Sequence, residues 1–332
     1  MVRLQTKTEI SRTLDRTPQE IAYDESVKRV LSARYLLAWI MKGCVSENRN
    51  CSVRDIAELY IEGKPQISGT PVHAEDADSR IHGLDTTDKS RREHTTLYDI
   101  LFYAVLPDST EKIGLFINVE AQNRYHPGYP LIKRGIYYCS RMLSAQFGRD
   151  FADGQYDKLK KVYSIWICAN APDSRDNTIT RYSLAEEMLL GTVAEEQKNY
   201  DLLSVVMVCF NDRQIEKKLR HGLEGQDGAD LVRLLSVLLS STVETEEKKQ
   251  ILEEEYSIPM TKEIESEVSY MCNLSQGLIE KGAAQGADKR SLEIAEELLK
   301  MAMPAENICK VTGISMAQLL KIAEETGLSL TE

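Results

Sequence analysis

Two acidic residues stand in text where acids are costly. Asp99 lies between Tyr98 and Ile100 in the run LYDILFYAVL, and Glu120 follows the apolar run IGLFINV. An unpaired carboxylate is expensive to bury, so each needs a partner or water. Both runs, 97–106 and 113–122, are rich in β-branched and aromatic residues and flank the turn text Pro107-Asp108-Ser109-Thr110, which predicts an antiparallel hairpin. Asp99 is early in the first strand and Glu120 late in the second, so antiparallel pairing brings them to one end of the ladder. Gln122 shares the face of Glu120, because strand side chains alternate with period two. Two converging carboxylates form a hard-cation site suited to Mg2+ or Mn2+. The alternative is a pair of strand-end acids in solvent or paired with arginine.

The flanking text supplies elements to hold this hairpin. DESVKRVLSARYLLAWIMK, 24–42, spaces Val27, Leu31, Ala38 and Met41 as one amphipathic helix with acids in its first turn. Ser52 and Asp55 form a capping pattern for a short helix that Gly63 and Pro65 stop. Residues 63–96 are polar and without period, which predicts a long mobile or functional loop. After Pro127-Gly128 a helix is expected over 129–147, then strands at 161–168 and 202–210 and helices over 212–242. This order implies an α/β protein with a mixed sheet and helices packed on it. Beyond Val243 the strands stop. Gly277, Gly282 and Gly286 predict a linker before a helix at 288–302, and the ending PAENICKVTGISMAQLLKIAEE predicts two short helices around Gly313. A domain boundary is placed near 243.

Composition narrows the classes. With 332 residues, 42% hydrophobic and 28% charged, the chain can bury a core without staples. No apolar run approaches the roughly 18 residues of a membrane span. The N-terminal text lacks an apolar secretory segment, so a cytoplasmic protein is expected. Seven scattered cysteines without a CxxC pair read as reduced core residues. Residues 1–182 carry 26 Lys+Arg and 24 Asp+Glu, net +2, whereas residues 183–332 carry 15 and 28, net −13. The acidity belongs to the C-terminal part.

Residues 121–149 hold Arg124, Lys133, Arg134, Arg141 and Arg149 and no carboxylate, a surface able to meet phosphates. Arg134, Tyr138 and Arg141 fall at i, i+4 and i+7 on one helix face. They would contact DNA phosphates, or form a solvated stripe. Arg124 and His126 lie just past Gln122; His126 in its Pro/Gly turn is not assigned as a base. The TGIS segment, with Lys310 and Lys321 against Glu306 and Glu324, lacks the net positive charge of a groove reader, so packing or oligomer contact is expected there. Glu253-Glu254-Glu255 reads as a solvated helix face.

A hairpin Asp, a strand ending Glu-x-Gln and a helix with Arg-x-x-x-Tyr together resemble the PD-(D/E)XK nuclease superfamily. More narrowly, YDILFYAVLPD, FINVEAQNRY, LIKRGIYYCSRMLSAQF and KKVYSIWIC are similar to the recombination-promoting nuclease and putative transposase family. The opening YDESVKRVLSARYLLAWIMK and the Gly-rich, IxxxTGIS-like ending extend the resemblance over most of the chain. It implies a restriction-endonuclease-like α/β core, a four-stranded mixed central sheet flanked by helices, over residues 1–243. An acidic helical extension with a Gly-rich linker and a helix-turn-helix-like end follows over 244–332. It further implies Asp99 and Glu120 as metal ligands, with the Ala121 carbonyl available as a third and Glu93, or Asp24 or Glu25, completing the shell. Asp24 and Glu25 equally suit a helix N-terminus. Mg2+ or Mn2+ would be the cofactor, DNA the partner, with no membrane and a homo-oligomer formed through the C-terminal helices.

The superfamily's usual lysine two residues after the Glu is replaced here by Gln122, which can orient a water but carries no charge. The leading expectation is therefore a metal-dependent DNA endonuclease. A catalytically weak nuclease-fold module that binds DNA or protein, and a toxin or defence nuclease restrained by its acidic tail, are the alternatives.

Overall fold

The computed structural model describes residues 17–67, 87–88, 96–105, 114–122, 125–211 and 228–330. The text 24–42 forms two helices: α1, Pro18–Leu31, and α2, Arg34–Cys44. Thr17 caps α1 in a reciprocal capping box with Glu20, seven residues before the expected first turn. Neither Pro nor Gly marks the break. The Ser32 hydroxyl donates to the Arg29 carbonyl at 2.7 Å and Ala33 turns extended, with ψ 131°. As expected, Ser52 accepts from the Asp55 amide at 3.0 Å and starts α3, Val53–Asp55, which continues as a π turn over Ile56–Tyr60.

Among the described residues eight strands follow: β1 Ile61–Ile67, β2 Thr87–Asp88, β3 Thr96–Leu97, β4 Ile100–Val105, β5 Gly114–Gln122, β6 Val162–Cys168, β7 Thr178–Ser183 and β8 Leu203–Cys209. β2 and β3 pair with each other, and the other six form one mixed sheet in the order β1-β4-β5-β6-β8-β7. The β4–β5 pair is the expected antiparallel hairpin, while β5, β6 and β8 run parallel. The sheet thus has six strands rather than four, because β1 and β7 extend its edges. β1 occupies text expected to be loop; Gly63 and Pro65 fit there because it is an edge strand whose register shifts between Glu62 and Gln66. The rest of the expected loop lies almost wholly outside the described residues.

Helix α4, Leu131–Ser144, covers one face of the sheet, and α1, α2 and α6 (Ala229–Leu239) cover the other. Alternation along β6 explains the two cores. Tyr163, Ile165 and Ile167 join Val30, Leu37 and Leu234 on one side, and Trp166 and Cys168 join Tyr138, Cys139 and Met142 on the other. A Cβ at Gly135 would stand 2.5 Å from Val205 Cγ1 and 3.0 Å from Trp166 Nε1, so the missing side chain lets α4 lie close on β6 and β8. A short helix, α5, spans Gln197–Tyr200; of the helices expected over 212–242, residues 212–227 lie outside the described ones.

The chain divides into two compact units, Met1–Cys272 and Asn273–Glu332. The division falls beyond the expected 243, because α7 (Thr245–Glu254) and the start of α8 (Lys262–Lys300) belong to the first core through Leu252, Tyr256, Ile258, Val268 and Met271. The expected glycine linker is also corrected: α8 runs unbroken through Gly277, Gly282 and Gly286 for 39 residues. Each helical Gly costs only about 1 kcal/mol, and the surrounding Ala, Glu, Lys and Leu favour the helix. In the second unit α9, Ala305–Thr312, turns at Gly313 (φ 74°) into α10, Met316–Thr326. Ile308, Leu319 and Ala323 pack there with Ala295 and Leu299. Glu253, Glu254 and Glu255 are exposed, and all seven cysteines are free. Among the described residues no helix is long and apolar enough to cross a membrane.

Candidate active site

Asp99 immediately precedes β4, whose first ladder pair with β5 is Ile100↔Val119. One further step of that register sets Asp99 beside Glu120 along the backbone. The Ala121 amide closes the arrangement by donating to Asp99 Oδ2 at 3.1 Å. The hairpin therefore brings its two acidic positions to one end, as the spacing predicts. In β5, Glu120 and Gln122 hold register with Trp166 and Cys168 of β6. Their side chains, and the whole of Glu93 and Arg124, lie outside the described residues.

The other oxygen of Asp99 meets a residue that sequence reasoning did not single out. Lys28 Nζ stands 2.8 Å from Asp99 Oδ1 and 3.1 Å from Asp24 Oδ2. All three side chains are largely buried: Lys28 is 12% exposed, Asp99 17% and Asp24 25%. Helix α1 delivers Lys28 because Val27, Val30 and Leu31 anchor its apolar face in the core. Since α1 starts at Pro18, Asp24 lies in its second turn and pairs with Lys28 four residues on; a role at the helix N-terminus is excluded. Glu25 is exposed on the same helix.

Burial alone would depress the Lys28 ammonium, but Asp99 and Asp24 reverse that and hold its pKa well above the ordinary lysine value. Lys28 remains a cation. Burial pushes the Asp99 carboxyl above its usual range, against the Lys28 ammonium and the Ala121 amide and with help from Asp24. Two carboxylates meet one ammonium here, beside the Glu120 position. Carboxylate oxygens are the donors that a hard divalent cation takes. Asp24 and Asp99 are of the donor type that Mg2+ or Mn2+ takes. Among the described residues, however, no group of three or more His, Cys, Asp or Glu side chains forms a metal cluster.

On the expected phosphate-binding face of α4, Tyr138 is tied into the core. Tyr138 is only 5% exposed; its ring packs edge-on against Tyr98, the neighbour of Asp99, at 5.3 Å and tilts against Trp166 at 5.6 Å. Arg134 Nε donates to the Tyr138 hydroxyl at 2.9 Å and Nη1 to the Tyr129 hydroxyl at 3.1 Å. Its guanidinium carbon lies 5.0 Å from the Tyr138 ring centroid and 5.4 Å from that of Trp166. This corrects both sequence readings of Tyr138: it belongs neither to a solvated stripe nor to an open phosphate-binding surface. Its ring fills the core and its hydroxyl orients Arg134. Arg141 is half-buried one turn further on, and His126 is exposed with its ring edge-on to Tyr125 at 4.8 Å.

A mixed sheet between helical layers, with an Asp entering one hairpin strand and Glu-x-Gln ending the next, defines the PD-(D/E)XK nuclease class. The family model described as PD-(D/E)XK nuclease family transposase matches residues 91–271, more than half of the chain, and the chain belongs to that family. The match ends one residue before the division between the two compact units. It begins downstream of α1, so Asp24 and Lys28 lie outside it. Neither a curated protein nor a solved structure gives a match.

The signal for Lys28 was present but faint. Asp24 and Lys28 are an i, i+4 acid–base pair, and Lys28 directly follows Val27 on a helix that must bury its apolar face.

Proposed function

We propose that this protein is a metal-dependent DNA endonuclease that hydrolyses phosphodiester bonds. The observation that carries this reading is the Asp99 carboxylate, held at the open end of the hairpin by the Ala121 amide beside the Glu120 position. Asp99 and Glu120 would hold Mg2+ or Mn2+, with Glu93 or Asp24 completing the ligand set. The bound metal supplies an acidified water and charge neutralisation at the scissile phosphate. The protein's own groups do the positioning. The Ala121 amide fixes Asp99, Gln122 orients a water by hydrogen bonding, and Arg124, Arg134 and Arg141 hold backbone phosphates. Tyr138 acts through Arg134, whose direction it sets.

A second reading, a nuclease fold that binds DNA or protein without cutting, draws support from the neutral Gln122 and from Lys28 already engaging Asp99. Plasmid nicking and linearisation with Mg2+, Mn2+ or EDTA, beside Asp99→Asn and Glu120→Gln, separates the two. The endonuclease reading expects metal-dependent cleavage that both variants abolish. Salt-sensitive DNA binding without cleavage at any metal concentration would refute it and leave the binding module.

A further inference from the structure

We propose that Lys28 of α1 is the catalytic cation of this site, supplying from another element the positive charge that Gln122 cannot provide. The proposal rests on the endonuclease reading above. Hydrolysis at a phosphate accumulates negative charge on nonbridging and leaving oxygens, and a fixed positive group at that point is among the largest catalytic contributions available. Gln122 has an amide that donates and accepts hydrogen bonds but carries no charge. Lys28 brings an ammonium to 2.8 Å from Asp99, the acid that enters the hairpin.

Three observations fit a working group better than an incidental ion pair. First, Lys28 is fixed from both ends. Its helix is anchored by Val27, Val30 and Leu31, and its ammonium lies between Asp99 and Asp24, so little ordering remains for the moment of reaction. Second, Lys28 and a metal ion can share Asp99. Lys28 engages Oδ1 while the Ala121 amide engages Oδ2, which sets the ammonium on the carboxylate proposed to hold the metal. Third, an ammonium has three donors, and Asp99 and Asp24 account for two of them. In the proposed role the third donates to a phosphate oxygen or the attacking water.

The competing explanation is that Lys28 merely neutralises the acids until a divalent ion arrives. The two make opposite predictions for cleavage by Lys28→Met, which keeps an unbranched apolar side chain at that position. A catalytic Lys28 predicts that Lys28→Met binds Mg2+ or Ca2+ at least as tightly as wild type, read from the metal-induced rise in melting temperature. It also predicts similar affinity for a DNA duplex in Ca2+. Cleavage at saturating Mg2+ should nevertheless fall by about 10²–10³-fold, through kcat rather than KM. Lys28→Ala should regain part of that loss with added ethylamine, a response that a purely structural lysine would not give.

Undiminished cleavage by Lys28→Met at saturating Mg2+, beside an active wild type, would overturn the assignment and make Lys28 a counter-ion only. Failure of ethylamine to restore any activity to a folded, metal-binding Lys28→Ala would overturn it too. If Lys28→Met melts below the assay temperature, the same kcat comparison with wild type is made at a temperature below that melting point. A wild type that never cuts would defeat the endonuclease reading itself, a result distinct from any difference between variants.

Discussion

Replacing Gly135 by alanine sets a methyl group against two side chains that have no room to yield. The new Cβ would meet Val205 Cγ1 at 2.5 Å and Trp166 Nε1 at 3.0 Å, and both residues are fully buried. Carbon atoms in good contact sit about 3.5–4.0 Å apart, so the helix or the strand must give by roughly 1 Å. Val205 is β-branched with few rotamers, and Trp166 is held by its Nε1 donating to Ser164 Oγ at 2.9 Å. Overpacking of this kind costs about 1–3 kcal/mol. Alanine recovers about 1 kcal/mol of helix propensity over glycine, which leaves a net loss of about 0–2 kcal/mol. Urea unfolding followed by tryptophan fluorescence reads this directly, since the two tryptophans, Trp39 and Trp166, both lie in the first unit. Gly286 on α8 is the internal control. A Cβ added there would meet nothing within 4 Å, so Gly286→Ala should stabilise its helix by about 1 kcal/mol in thermal circular dichroism. A Gly135→Ala protein that gained about as much as Gly286→Ala would refute the close approach of α4 to the sheet.

Two further tests address the frame around the site. Glu47 accepts from the Tyr163 hydroxyl at 2.6 Å and pairs with Lys161 at 3.1 Å; against burial, which raises it, these partners hold its carboxyl below the ordinary value of 4.5. A depressed carboxyl contributes stability that is fully present above that ordinary value and lost as the pH falls through the folded one. Glu47→Gln should therefore lose about 1–3 kcal/mol at pH 7 and much less at pH 3, and equal losses in urea titrations at both pH values would exclude the pairing. Truncation after Val243 removes Leu252, Tyr256, Ile258, Val268 and Met271 from the first core and should abolish cooperative melting, whereas truncation after Cys272 should leave the melting transition of that unit in place.

The sequence text was most legible where burial is simple. β6 and β8 are almost wholly buried, so VYSIWIC and LSVVMVC read as strands from composition alone. The hairpin and α4 were equally clear, and the placement of Asp99 at the Glu120 end followed from antiparallel counting. Edge strands were not legible. β1 contains Gly63 and Pro65, and β7, TITRYS, is half-exposed and polar, so neither carries a core strand's signature. The α1–α2 break has no Pro or Gly; it rests on Ser32 bonding its own helix and on the packing of two separate apolar faces. The packing of α7 on the first core was not legible because four glutamates and two lysines dominate its text and mask the few apolar residues that it and its following turn bury. Lys28 was hidden for a different reason. Its long stem carries the charge off the side of α1 to an acid distant in sequence, and no spacing along one helix reveals which element its flank will meet.

The location of that lysine changes which part of the chain constitutes the nuclease. The family match opens at residue 91, yet the ammonium that pairs with Asp99 comes from α1. If Lys28 supplies the active-site charge, the functional body must include α1 from its Thr17 cap onward, because fraying of that helix would withdraw Lys28 and take its charge from both Asp99 and Asp24. The same helix is tied to the start of α8 by Arg29, whose Nε lies 3.0 Å from Glu267 Oε2. That ion pair is half-exposed and weak by itself. Its value is positional: together with Val268 and Met271 in the core it ties α1 to a segment just inside the end of the family match. The first unit therefore closes on itself around the hairpin, with elements from both its sequence ends bearing on the placement of one ammonium.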